Sequence, residues 1–270
     1  MSGFGRFGAL YMGESGATAA DTTIESRYNL YIDGSTQSDN GLALGARIGI
    51  RSDENGAASR QAVFNSPRFT VSSNGLTLAA GNITGAIDSM PGMYAGSVGL
   101  SGLGFVNVVN GGSHAYADGA NGNNGLEVIY SMGDLTAHVS TVKDGDTEVA
   151  LAYSMGDYRV AAAFSNTDTA ASTEMAITAG AAVGAANVGL AYGKMVNGNT
   201  SMTVSASFAA GAATTVSAYI NKVDTTPATA EDMSYGIGVV HNLGGGASLR
   251  GGFADTNGRT RADFGVAFSF

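Results

Sequence analysis

The sequence predicts an all-β protein: a membrane-spanning, antiparallel, up-and-down β-barrel of about sixteen strands. Three observations carry that expectation. Charged residues make up only 13% of the 270, yet mean hydropathy is close to zero at +0.09. An ordinary soluble domain carries about 25% charge. Apolar and polar residues alternate with a period of two from one end of the chain to the other, which is the strand period. Short and long connections also alternate, as they do in bacterial barrels, with tight turns at one rim and long loops at the other.

Composition narrows the function classes. Ser, Thr, Asn and 41 glycines supply the polarity that charges usually supply. That mixture suits a wall with hydrocarbon on one face and water on the other. The net charge of -9 argues against nucleic acid, which demands basic stripes. With no cysteine in the chain, disulfide scaffolds, thiol catalysis and Cys-based zinc sites are excluded. No signal peptide is visible, and the strand-like opening MSGFGRFG places the numbering at or near a mature N-terminus.

The alternation is explicit along the chain. In 23–33, Ile24, Tyr28, Leu30 and Ile32 share one face, and Glu25, Arg27, Asn29 and Asp33 share the other. In 41–53, Leu42, Leu44, Ala46, Ile48 and Ile50 oppose Arg47, Arg51 and Asp53. The same holds for Val149, Leu151 and Tyr153 against Glu148, for Tyr158, Val160 and Phe164 against Arg159, and for Phe264, Val266, Phe268 and Phe270 against Asp263 and Ser269. The stretch between Lys194 and Lys222 carries no charge and is long enough for a spanning helix. Yet Met202, Val204, Ala206 and Phe208 alternate with Thr203, Ser205 and Ser207, so two strands and a small-residue turn are expected.

Short connections fall near residues 74, 133, 156, 183, 211 and 244. Longer, more acidic ones occupy 12–22, 53–60, 83–124, 166–173, 195–200, 223–232 and 255–260. The pentapeptide Tyr-Ser-Met-Gly-Asp occurs at 130–134 and again at 153–157. Each copy sets a tyrosine just before a Gly-Asp turn, where a ring in hydrocarbon and a hydroxyl in water both find their medium. Sixteen strands enclose more space than these small inward side chains fill, so the interior is expected to be wet.

The basic residues cluster. Arg6, Arg27, Arg47, Arg51 and Arg68 point inward by parity on consecutive early strands, where they form a basic patch of the pore wall. An arginine facing lipid near the midplane costs about 2–4 kcal/mol. Glu25, Asp53 and Glu127 are the acids expected on the same lumenal face. The competing reading is that each arginine only neutralises such a carboxylate. The acids Glu14, Asp21, Asp144, Asp146, Asp168, Asp224, Glu231, Asp232 and Asp255 lie in external loops. A solvated acidic rim is the default for them, and Ca²⁺ held by their oxygens the sharper alternative. No other cofactor or metal is expected.

Two terminal motifs bring in a resemblance. The opening Gly-Phe-Gly-Arg-Phe-Gly-Ala-Leu-Tyr resembles the first strand of alphaproteobacterial general porins. The closing Phe-Gly-Val-Ala-Phe-Ser-Phe resembles the outer-membrane assembly signal of such barrels, with Phe264, Val266, Phe268 and Phe270 at alternate positions. The resemblance implies passive diffusion of ions and small hydrophilic solutes through the Gram-negative outer membrane, selected by size and weakly by charge. It implies a homotrimer, contact with outer-membrane lipid and lipopolysaccharide, and recognition by the outer-membrane assembly machinery. It also implies that a long third loop, here 83–124, folds into the lumen as a constriction carrying Asp88, His114 and Asp118. Two departures stand out. The opening strand looks short for the family. The loop also has few carboxylates and an apolar run over 96–109, so one side of the constriction is expected to be apolar.

The rival functions are enzymatic and adhesive. An outer-membrane enzyme needs a nucleophile and base held together, and His114, His138 and His241 sit in no catalytic motif and at no metal-ligand spacing. An adhesive barrel needs aromatic anchors in its loops, and only the long loop has them, at Tyr94, Phe105 and Tyr116.

Overall fold

The computed structural model describes residues 1–16, 18–54, 61–94, 97–103, 114–119, 122–143, 145–166, 173–195, 197–225 and 233–270. Its strands are β1 (Ser2–Met12), β2 (Asp21–Gln37), β3 (Ala43–Asp53), β4 (Val63–Phe64), β5 (Arg68–Ser73), β6 (Leu76–Gly81), β7 (Gly125–Met132), β8 (Leu135–Val142) and β9 (Thr147–Met155). They continue with β10 (Tyr158–Asn166), β11 (Glu174–Val183), β12 (Ala186–Lys194), β13 (Thr200–Ala209), β14 (Thr214–Asp224), β15 (Met233–Gly244), β16 (Ala247–Thr256) and β17 (Arg259–Ser269). Every pairing is antiparallel between neighbours in sequence, and β1 pairs with β17 to close the sheet. β4 and β5 both pair with β3 and together make one interrupted position, so the barrel has sixteen. Closure leaves no unpaired edge, which hydrocarbon does not tolerate.

The uncharged stretch forms β13 and β14, paired from Thr200↔Asp224 to Ala209↔Thr215. Among the described residues, no helix is long and apolar enough to cross a membrane. Along β13, Ser201 and Thr203 are buried on the inner face, while Met202 and Val204 are 56% and 47% exposed outward. Outward exposure of large apolar residues is the signature of a wall solvated by lipid. The tight rim is built from residues that accept positive φ. Asn74 and Gly75 join β5 to β6 with φ of 48° and 81°, the two positive values that a two-residue hairpin turn matching strand twist requires. The repeated pentapeptide forms two more two-residue turns, each with positive φ at its glycine alone, 58° at Gly133 and 57° at Gly156.

The terminal strand fits its neighbour through missing side chains. A Cβ at Gly3 would meet the Phe270 ring at 2.3 Å, and one at Gly5 the Phe268 ring at 2.5 Å. Phe270 also stacks on Tyr28 at 5.9 Å between centroids. Phe264, Val266, Phe268 and Phe270 therefore all lie on the outward face, and two of them fill hollows left by glycine.

Candidate functional site: the lumenal wall and the long loop

After β6, the fifth position of the barrel, the chain leaves the wall and packs along its polar inner face. The first contacts fall on β8 and β9. The Ala86 amide donates to Ser140 Oγ at 2.9 Å and the Ile87 amide to Glu148 Oε2 at 3.0 Å. Thr178 on β11 donates to the Pro91 carbonyl at 2.5 Å. Ile87, Met90 and Met93 are then buried against Ala150, Ala161, Ala163, Ala176 and Ala191 of the wall. Inward alanines on consecutive strands make room for an apolar face of the loop that the polar lumen would otherwise reject.

Farther on, the loop reaches β14 to β17 and β1. The backbone at Val98 and Gly99 rests on glycines. A Cβ at Gly238 would lie 2.8 Å from Gly99 N, and one at Gly252 would lie 2.8 Å from Gly99 Cα. Gly99 itself has φ of 78°, and a Cβ there would strike Asp263 Oδ1 at 2.2 Å. The Asp263 carboxylate accepts the Leu100 amide at 2.9 Å, the Ser101 amide at 2.7 Å and Ser101 Oγ at 2.7 Å. Arg6 donates to the Leu100 carbonyl at 3.3 Å. The apolar run, expected on the open side of a constriction, does the opposite over its described part. Val98, Leu100 and Leu103 are turned into the wall and buried, because apolar side chains in a wet barrel gain more from the sheet than from the water. Residues 96 and 104–109 of that run lie outside the described residues.

The return limb, 114–119, comes back to β2, β3 and Asn82. The Tyr31 hydroxyl donates to Asp118 Oδ1 at 2.6 Å, and Arg51 Nη1 lies 3.5 Å from Asp118 Oδ2. Asn65 donates to the Tyr116 hydroxyl and to the Ala117 carbonyl, each at 2.8 Å, and Asn82 and Ala117 exchange two hydrogen bonds.

Asp118 therefore faces the arginine wall. The other two loop residues do not. His114 is fully buried, with Nδ1 at 3.2 Å from Ser140 Oγ and 3.3 Å from Glu148 Oε1. It ties the return limb to the wall and does not border the aqueous path. Its nearness to Ser140 and Glu148 is no triad. The serine and the carboxylate share one ring nitrogen, whereas base catalysis needs them on opposite nitrogens. Asp88 receives a hydrogen bond from Tyr94 on its own loop and lies on the Glu148 side of the barrel. Burial, with the nearby Glu148 carboxylate second, pushes the Asp88 carboxyl up to about 6.

A pH prediction follows. Asp88 is neutral below pH 6 and gains its charge as pH rises through it, so the loop adds a negative charge to the lumen only on the alkaline side. Cation preference, read as reversal potential under a KCl gradient, is expected to increase between pH 5 and pH 7, and Asp88→Asn is expected to remove that step. A step of equal size in Asp88→Asn would refute the assignment.

All five arginines of the early strands lie on the inner face, and each meets a carboxylate. Arg6 bonds Glu25 at 2.5 Å, Arg27 lies 3.5 Å from Asp53, and Arg51 bonds Asp53 at 2.7 Å. Arg47 bonds Asp33 at 2.6 Å and stacks over Tyr31, 5.1 Å from its centroid. Arg68 bonds Glu127, which also meets His138 Nε2 at 3.0 Å. The acids Glu25, Asp53 and Glu127 are buried beneath their partners at 3%, 5% and 1% exposure. The wall is thus a lattice of ion pairs, with Asp53 shared by Arg27 and Arg51. Parity identified the arginines but missed Asp33 as a partner and Asp263 as the loop's anchor. Both were visible as polar members of alternating strands, with no sequence signal for what they would touch. Glu148 is brought against the loop at Ile87 and His114 only by the barrel's curvature.

Among the described residues, no group of three His, Asp or Glu is arranged to hold a metal ion. Asp144, Asp168, Glu231 and Asp232 of the acidic rim lie outside the described residues.

A closed sixteen-position barrel with an apolar outside, a charged inner wall and a long segment bound across that wall defines a membrane channel protein. Sequence and structure comparisons agree. The profile of the Gram-negative porin family matches residues 1–261. A porin of Fuscovulum blasticum is 32% identical over 293 residues, covering 100% of this chain and 99% of the relative. A triple mutant of the Rhodopseudomonas blastica porin superposes with a TM-score of 0.87 at 27% identity, covering 100% of this chain and 99% of that one. A second engineered variant of that porin gives 0.88 at 26%, with the same coverage. The chain belongs to the Gram-negative porin family. It is an outer-membrane diffusion channel and not an enzyme.

Proposed function

We propose that solutes cross by passive diffusion and are selected first by size, at the level where the loop spans the barrel. The observation that carries this reading is the chain of anchors at residues 86–91, 98–101 and 114–118. They fix the loop against opposite arcs of the inner wall and narrow the space between. Charge selects second, and weakly, because Arg6, Arg27, Arg47, Arg51 and Arg68 are matched by carboxylates. Asp118 faces Arg51 while Asp88 lies on the Glu148 side of the barrel, so the loop carboxylates form no continuous wall opposite the arginines and the transverse field is modest. The porin acts as a homotrimer in contact with lipid and lipopolysaccharide. The outward aromatics Phe264, Phe268 and Phe270, with Val266, present the strand that the assembly machinery reads.

Planar-bilayer recording tests this directly. Ohmic steps grouped in threes are expected. Insertion without ion current would overturn the reading and favour an adhesive or enzymatic role. A double substitution, Arg47→Ala with Arg51→Ala, leaves Asp33, Asp53 and Asp118 without those guanidinium partners. The reversal potential is expected to move toward cation preference, and an unchanged potential would remove these arginines from the selectivity path.

A further inference from the structure

On the later strands Arg159, like Arg250 and Arg261, stands outside the ion-pair lattice among the described residues. Arg159, the second residue of β10, is exposed to the lumen. Every early arginine of the wall has a carboxylate, but among the described residues Arg159 has no ion pair. Its side chain lies across a hollow made by two paired glycines. Gly180 on β11 faces Arg159 on one side and Gly189 of β12 on the other. A Cβ at Gly180 would come within 2.6 Å of Arg159 Nε. At Gly189 a Cβ would meet only the Ser205 hydroxyl closely, at 2.7 Å.

This hollow is part of a recess of about 330 Å³ under the loop, on the arc of wall that the arginine lattice does not reach. The loop supplies Met93 and Tyr94 as a roof. The wall supplies Arg159 and the inward hydroxyls of Ser205, Ser207 and Ser217. Ser207 and Ser217 are directly paired across β13 and β14, and Ser205 is one inward step away. A second hollow of about 270 Å³ continues toward the tight-turn rim, with Arg159 shared between the two and Asp157 also in its lining. One guanidinium, a bank of hydroxyls and a thioether-and-aromatic roof form a chemically coherent set. The guanidinium takes a carboxylate or phosphate through two parallel hydrogen bonds. The hydroxyls, each both donor and acceptor, suit sugar hydroxyls. Tyr94, 40% exposed, offers the apolar surface that the C–H face of a sugar needs, with buried Met93 behind it. The volume is within the range of small-molecule sites and ample for one hexose-sized solute.

We propose that this recess is a weak, reversible binding site for small polyhydroxylated anions of the sugar-acid or sugar-phosphate class, entered from the tight-turn side. It rests on the channel reading for its access but not for its binding chemistry. A transient site beside the path raises the local concentration of such a solute without closing the pore.

The test uses the full-length porin and sodium gluconate, with glucose and acetate as controls. In planar bilayers, gluconate is expected to reduce the open-channel current in a saturable way, more strongly from one side. Glucose and acetate, which lack the anionic head and the hydroxyls respectively, are expected to need higher concentrations. Arg159→Gln is expected to raise the half-blocking concentration about tenfold, as loss of one charge-assisted pair would, and Arg159→Lys to raise it less. Block by glucose at the same concentration, or block unaltered in Arg159→Gln, overturns the proposal. So does block abolished by Arg47→Ala, which would place it at the arginine lattice. Calorimetry of gluconate into detergent-solubilised protein reads the site without conduction. Heat that is lost in Arg159→Gln supports the site even if no current flows, and equal heat in both proteins overturns it.

Discussion

Asp263→Ala is expected to free the loop tip and to give larger, noisier single-channel currents while the barrel stays folded. The Asp263 carboxylate holds two backbone amides and a hydroxyl of the loop at 2.7–2.9 Å. Hydrogen bonds to a charged group contribute about 1.5–3 kcal/mol each. Losing even two of these three shifts the balance between docked and released tip by a factor on the order of 100 or more. The remaining anchors are the Arg6 contact to the Leu100 carbonyl and the burial of Val98, Leu100 and Leu103. These hold the tip nearby but not in one place, which is why noise is expected along with conductance. Asp263→Asn keeps an acceptor and is expected to show a smaller change. Gly238→Val attacks the same contact from below. Its side chain would occupy the space of Gly99 N and the Val98 Cβ, 2.8 and 2.9 Å from a Cβ there. Forcing extra volume into a packed contact costs about 1–3 kcal/mol. Heat stability in detergent is expected to change little in either variant, because strand pairing around the closed sheet is untouched. Currents indistinguishable from the parent in both Asp263→Ala and Gly238→Val would show that the tip does not set the constriction.

The second large effect is on stability. Arg68→Ala leaves Glu127, 1% exposed, with His138 as its remaining side-chain partner. Removing one member of a buried pair is expected to cost about 3–5 kcal/mol. The lower end applies here, because the Arg68 side chain is 24% exposed to lumenal water and His138 still reaches Glu127. The double variant Arg68→Ala with Glu127→Gln removes the orphaned charge as well and is expected to recover most of the loss. Denaturant unfolding from lipid vesicles, followed by the mobility difference of folded and unfolded barrel on gels, measures both. Equal losses in the single and double variants would mean that packing of the Arg68 stem, and not charge pairing, is what matters at this place.

The period-two pattern was sufficient for the architecture. Ser201, Thr203, Ser205 and Ser207 against Met202, Val204, Ala206 and Phe208 assign the faces of β13 without coordinates, since one face must meet lipid and the other water. Parity likewise placed Arg6, Arg27, Arg47, Arg51 and Arg68 inward, and the tight turns at Asn74–Gly75, Gly133 and Gly156 marked one rim. These are local properties, each decided by neighbours one or two residues away.

What surrounds those residues was decided elsewhere. Arg47 meets Asp33 across a strand pair, Arg68 meets Glu127 two strands away, and Asp263 meets Leu100 and Ser101 from the opposite end of the chain. The loop's path depends on bare glycine backbone at 99, 238 and 252 and on inward alanines of β9 to β12. No composition or spacing distinguishes those from the other small residues of the wall. The sequence by itself determined a closed, lipid-facing barrel with a charged and polar interior. Only the tertiary structure decided that His114 is a buried fastener, that the described part of the apolar run turns to the wall, and that among the described residues Arg159 has no ion pair. The physical reason is curvature. Alternation tells a side chain which face it occupies, but closing the sheet into a barrel decides which distant residues share the enclosed space with it.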